Sequence, residues 1–156
     1  MNWTFRGREF TEEHVGEYFG IVYLITNLQN NRKYVGKKYF TKASRKQVKG
    51  KKKKIRVKSD WEEYWGSNKV IKEDVQKAGK KHFTREILHL CKTRSELSYF
   101  ETYEIFTRDA LVTHEYYNDW VTCRIRKDNL ISKPDTITYN NSSPKSNGYS
   151  RSSPRK

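Results

Sequence analysis

Two tyrosines, Tyr23 in Gly20-Ile21-Val22-Tyr23-Leu24-Ile25 and Tyr34 in Lys33-Tyr34-Val35-Gly36-Lys37, and a distant glutamate, Glu101, are the side chains best suited to chemistry on a charged substrate. A phenol ionises near pH 10, so either tyrosine takes up a proton at neutral pH only where a cation or a hydrogen bond favours the phenolate. Glu101 offers the oxygen donor that Mg2+ or Mn2+ prefers. One protein carboxylate can suffice, because Mg2+ keeps several waters and takes further oxygens from a phosphate. Each residue also has a plainer reading. The chain has 11 tyrosines, and two on facing strands make ordinary cross-strand packing. Leu97, Glu101 and Ile105 stand at i, i+4 and i+8, which equally describes a half-exposed carboxylate beside an apolar stripe.

The elements that must position these groups are short. β-branched and aromatic residues fill both tyrosine runs, and the polar Asn27-Leu28-Gln29-Asn30-Asn31 between them predicts a β-hairpin. Gly36 is expected where the chain turns out of the sheet, its missing Cβ admitting a phosphate or another backbone. Phe83–Cys91 reads as a third strand. Val70, Ile71, Val75 and Ala78 keep helical spacing from Asn68 to a stop at Gly79. Thr93-Arg94-Ser95-Glu96 is a capping box opening a helix to about Ala110, and Asp60 with Glu63 resembles another. Trp120–Arg126 alternates as a last strand would. Trp61, Tyr64 and Trp65 either stack on bases or belong to the core.

These elements predict an α+β fold, a small three-stranded antiparallel sheet flanked by helices. Residues 1–17 are expected to be a lead-in, with a short helix starting near Thr11. Residues 18–131 are expected to form the domain, and the Ser-, Asn- and Pro-rich residues 132–156 a disordered basic tail.

The formal net charge is +15, which calls for a strongly negative partner, most simply nucleic acid. Lys37 to Lys58 holds twelve Lys and Arg and no acid, so self-repulsion is expected to keep it open without a partner. Within it Lys37, Lys38, Lys51, Lys52, Lys53 and Lys54 are candidate phosphate contacts, although for most such residues a solvated charge run is sufficient explanation. No run has the length or spacing of a membrane segment, so a soluble, intracellular protein is expected. Cys91 and Cys123 are far apart and no Cys/His cluster signals zinc, so both read as reduced, half-buried apolar residues. His89, inside the third strand, reads as structural.

In order along the chain, Tyr23, Tyr34-Val35-Gly36, a downstream arginine, Glu101 and Asn118 resemble the signature of the GIY-YIG nucleases, over roughly Gly20 to Asn118. The chain has Ile21-Val22 before the first tyrosine where the family usually has Gly-Ile. Among family members it is most similar to short phage-encoded homing-type endonucleases, which implies the cytoplasm of an infected bacterium. The resemblance implies a metal-dependent DNA endonuclease, with Tyr23 activating water, Tyr34 assisting, and Mg2+ or Mn2+ on Glu101. Asn118 matches the late asparagine of the pattern and is grouped with Gly36 on the DNA-binding side. The resemblance also implies an arginine on a helix after the second motif, for which Arg45 is the first candidate and Arg56 the second. Products would carry 5′-phosphate and 3′-hydroxyl ends. A non-catalytic nucleic-acid-binding protein on the same scaffold is the rival reading. The oligomeric state is left open.

Overall fold

The period-two pattern of Gly20–Ile25 becomes burial on both faces of a sheet: Ile21, Tyr23 and Ile25 enter one apolar cluster and Val22 the other. The computed structural model describes residues 2–48 and 50–126. Its elements are β1 (Trp3–Phe5), β2 (Arg8–Phe10), β3 (Gly20–Asn27), β4 (Lys33–Tyr39), β5 (Thr41–Val48), β6 (Lys51–Lys58), α1 (Lys69–Ala78), β7 (Phe83–Cys91) and α2 (Arg94–Thr107). The main sheet has five strands in the order β2-β1-β7-β3-β4, not the three expected. The hairpin and the Phe83 strand form its antiparallel part, β7-β3-β4, with Tyr23 opposite Gly36 in β4 and Ile87 in β7.

The two additional strands come from the segment expected as a lead-in. β1 lies parallel to β7 and antiparallel to β2. Trp3, 2% exposed, and Phe10, 5% exposed, hold this docking by burying two large aromatic side chains in the core. A short 3-10 turn over Glu12–His14 follows.

One face of the sheet is covered by α1 and by the Trp61 to Trp65 loop. Trp61 and Trp65 are core residues there, which removes them as stacking platforms. The second face is covered by α2 through Leu97, Phe100 and Ile105. Asn68 caps α1, accepting from Val70 N and Ile71 N. Thr93 caps α2, accepting from Glu96 N. The second expected capping box does not form: Trp61–Glu63 is a 3-10 turn, and the Asp60 carboxylate makes no capping bond to it and instead bonds Lys38 Nζ.

The lysine-rich segment pairs instead of staying open. β5 and β6 form a separate two-stranded antiparallel ribbon with eight facing residue pairs, from Thr41–Lys58 to Val48–Lys51. Alternation of Ile55 and Val57 with basic residues favours a strand, and Gly50 takes the positive φ of 78° needed at the turn. The like charges are exposed, where water weakens their repulsion to about 1 kcal/mol or less per pair.

Gly36 is not a turning point either, because β4 continues through it to Tyr39. Trp120–Arg126 forms no strand, and Cys123 is exposed while Cys91 is buried. The tail expected from residue 132 onward lies outside the described residues. No helix among the described residues is long and apolar enough to cross a membrane.

Candidate active site at the edge of the sheet

β4 is an edge strand, so its two faces meet along an open rim, and a cavity of about 740 Å3 runs over it. Alternation along β4 decides what each side contributes. Tyr34 points to the α1 side, where its hydroxyl lies 2.7 Å from Ser67 Oγ, with Tyr64 also on the cavity wall. Lys37 points to the α2 side, where its ammonium lies 2.8 Å from Glu101 Oε2 and donates to Ser98 Oγ at 3.1 Å. Ser98 and Glu101 are one helical turn apart on α2, which presents both to the same strand.

Asn118 holds the rim together. Its carboxamide accepts from Val35 N at 3.0 Å and donates to Val35 O at 2.8 Å, completing the edge as another strand would. Tyr117 N bonds Lys33 O just before it. Since both ends of its side chain are engaged with backbone, Asn118 positions β4 and keeps little capacity for a ligand.

Tyr23 is placed differently from Tyr34. It is 0% exposed, packs edge-on to Trp3 and does not line the cavity. Its hydroxyl sits over Gly36 and interacts with the Tyr64 phenol. The absent side chain of Gly36 is what makes room for it: a Cβ there would lie 2.7 Å from Tyr23 Cζ and 2.9 Å from Tyr34 Cε1. Burial, with lesser effects from Tyr34 and Tyr64, pushes the Tyr23 phenol well above its usual pKa. Burial also raises Tyr34 and Tyr64, although the Ser67 hydroxyl acts in the opposite sense on both. Unaided, then, this environment favours neutral phenols.

Cations surround the opening. Lys38 Nζ is 2.8 Å from Asp60 Oδ1 and 3.7 Å from the centre of the Tyr64 ring, while Lys69 and Arg124 line the cavity wall. Arg45 and Arg56 do not reach it. Both lie on the ribbon, since the segment that was to supply a helix forms strands. Arg45 faces Lys54 and is exposed. Arg56 sits at the base, bonded to Thr41 Oγ1 at 2.7 Å and stacked on Phe19. Lys51, Lys52, Lys53 and Lys54 are likewise on β6, away from the cavity.

Among the described residues no three His, Cys, Asp or Glu side chains converge as a metal-binding group. Glu101 shares the wall of this open cavity with a second carboxylate, Asp119, and a carboxylate oxygen there fits a hard divalent ion that keeps water and takes phosphate oxygens. Tyr64, Ser67, Ser98, Lys69 and Arg124 are site residues with no motif of their own. The only local cue was the break at Gly66-Ser67 before the Asn68 cap, and Asn68 also donates to Tyr117 O, which draws that break toward the Asn118 segment.

A groove of cations, phenols and the carboxylates of Glu101 and Asp119 at the rim of a two-sided sheet defines the class as a small α+β domain with a charged cleft at its sheet edge. The chain belongs to the GIY-YIG family: the family model described as "Putative endonuclease segE, GIY-YIG domain" matches residues 3–121. It is also similar to the "Putative endonuclease segE" of Enterobacteria phage T4, with 32% identity over 100 residues, covering 64% of this chain and 40% of that one. The chain therefore spans about two-fifths of that relative's length. No solved structure matches it.

Proposed function

We propose that the chain is a DNA endonuclease that hydrolyses phosphodiester bonds to 5′-phosphate and 3′-hydroxyl ends in a metal-dependent reaction, serving as a phage homing-type enzyme. The observation that carries this reading is the convergence of Lys37 and Glu101 from β4 and α2 beside Tyr34, on the open rim of a GIY-YIG domain. Nucleases of this family typically use divalent metal ions. Mg2+ or Mn2+ held by Glu101 would supply Lewis-acid stabilisation of the phosphate and of the departing 3′ oxygen.

The chain's own groups do the rest. Lys37, paired with Glu101 at 2.8 Å, is free to transfer its ammonium to a phosphate oxygen once the carboxylate has another cation. Lys38 and Arg124 add positive charge along the groove, the part the sequence assigned to Arg45 or Arg56. Tyr34 is the phenol facing the cavity, bonded to Ser67, and is the group we assign to orienting the water and accepting its proton. Tyr23 backs it from the core. Asn118 keeps β4 fixed so that Tyr34 and Lys37 stay on opposite sides of the scissile phosphate.

Glu101→Gln is expected to lower cleavage of supercoiled plasmid at least about a hundredfold while changing DNA affinity by less than about threefold, because backbone cations and not the metal should dominate binding. Mg2+-stimulated nicking by that variant at the parental rate would overturn the assignment. If the unaltered protein binds plasmid but cuts none with Mg2+ or Mn2+, the rival reading of a binding protein on this scaffold takes its place.

A further inference from the structure

We infer that the β5–β6 ribbon enters the major groove of duplex DNA and reads base edges with Arg45 and Gln47, which rests on the reading of this chain as a protein that acts on DNA. The register sorts the ribbon into two faces, because cross-strand partners share a face and successive residues alternate. Arg45 faces Lys54 and Gln47 faces Lys52, so these four side chains form one continuous face of the outer ribbon. Lys46 with Lys53, and Ser44 with Ile55, lie on the reverse.

Charge alone does not distinguish the faces, since both carry lysines. Forked side chains do. Arginine pairs bidentately with guanine O6 and N7, and glutamine with adenine N6 and N7, whereas lysine is a point charge. Arg45 and Gln47 are two residues apart on one strand, about 6.8 Å. That equals about two base-pair steps at 3.4 Å each along a strand. Both are exposed, as are Lys52 and Lys54.

The ribbon is also held where such a role needs it. Its base is fixed to the body by Ser59 N to Phe40 O at 2.8 Å and by Arg56 on Thr41 and Phe19. Lys58 bonds Glu12 at 3.0 Å and Glu62 at 2.7 Å. β5 continues from β4, the strand that edges the cavity, so a duplex held by the ribbon would pass the groove of Tyr34 and Glu101. The major groove of B-DNA is about 12 Å wide and admits a two-stranded ribbon. The deep, narrow major groove of duplex RNA does not admit side chains, which favours DNA as the occupant.

The test is binding without catalysis. Full-length protein in EDTA selects duplexes from a random library, and the best of them is probed with dimethyl sulfate, which methylates guanine N7 in the major groove. The expected motif holds a G·C and an A·T pair about two steps apart, with that guanine protected. Arg45→Ala should cut discrimination at the G·C pair about tenfold or more and restore methylation, and Gln47→Ala should do so at the A·T pair. Lys46→Ala, on the reverse face, should lower affinity and leave the motif unchanged. No enriched motif with the unaltered protein, or a motif indifferent to Arg45→Ala and Gln47→Ala, overturns the ribbon reading even if plasmid is cut. A motif read as expected by a protein that never cuts removes the nuclease reading and leaves the ribbon standing.

Discussion

Tyr23 and Tyr34 lie on adjacent strands two residues apart in register, yet of the two only Tyr34 lines the cavity. The sequence made both visible as candidates. It did not separate them, because the depth of a residue on an edge strand depends on what covers the rim, here Tyr64 and Ser67 from a distant loop. Tyr34→Phe is expected to slow single-turnover cleavage about a hundredfold or more, the usual scale for loss of a proton-transferring group. Tyr23→Phe removes a buried hydroxyl whose polar neighbour is the Tyr64 phenol, so stability should change by no more than about 1 kcal/mol in either direction, with activity kept within about threefold. The reverse ranking of the two variants would return water activation to Tyr23. The pH profile carries the same information. Burial holds the Tyr34 pKa above 10.0. A base that must lose its proton is then mostly neutral at pH 7, and log rate should climb about one unit per pH unit from pH 7 to 9. A flat profile over that range means that some other group takes the proton.

Helix α2 serves the site from one side and is anchored by charge on the other. Glu104 on α2 accepts from Arg108 Nε at 2.6 Å and lies 2.6 Å from His89 Nε2 of β7, whose ring stacks on Phe100. Burial acts to raise the Glu104 pKa, but bonds to His89 and the charge of Arg108 outweigh it and leave it below 4.5. A depressed carboxylate adds stability that is complete above the unfolded value and disappears as pH falls through the folded one. Glu104→Gln should therefore cost roughly 1–3 kcal/mol at pH 7, and the difference in thermal midpoint from the parent should shrink as pH drops below about 4. A constant difference would mean that the pair contributes shape and not charge. Elements such as α2, α1, β3, β4 and β7 were legible because each declares itself locally, through a cap such as Thr93 or an alternation such as Ile21, Tyr23 and Ile25. β1 and β2 were not, since three residues carry no period and Trp3 gains its partners from distant positions, Tyr23, Trp61 and Arg85. The ribbon was obscured by its own charge: Ile55, Val57 and Gly50 gave the pattern of a hairpin, and the lysines around them gave that of an open chain. Trp120–Arg126 shows the converse, an alternation that finds no strand to pair with, four of whose residues, Trp120, Val121, Thr122 and Arg124, line the groove instead.

At the scale of the molecule, the net charge of +15 is divided between the cavity rim and the ribbon, which under the proposed function gives a DNA strand a path. Lys37, Lys38, Lys69 and Arg124 surround the cavity, while the ribbon carries a second block of cations beyond the end of β4. Composition gave the sign of the charge but not this division, because a lysine run looks the same in sequence whether it lines a site or stands clear of it. The two blocks are separable by experiment. Lys51, Lys52, Lys53 and Lys54 lie on both faces of β6 and bond no acidic side chain among the described residues, so their replacement by alanine should leave the body folded. Every phosphate left without its lysine should flatten the log–log dependence of affinity on salt by about 0.9, so the quadruple variant should lose about 2 to 4 in slope. Its cleavage rate at saturating DNA should stay within about threefold of the parent, since none of the four lines the groove. An unchanged slope, measured from 50 to 200 mM salt, would mean that the ribbon stays off the DNA backbone and that the cations at the cavity alone hold the duplex.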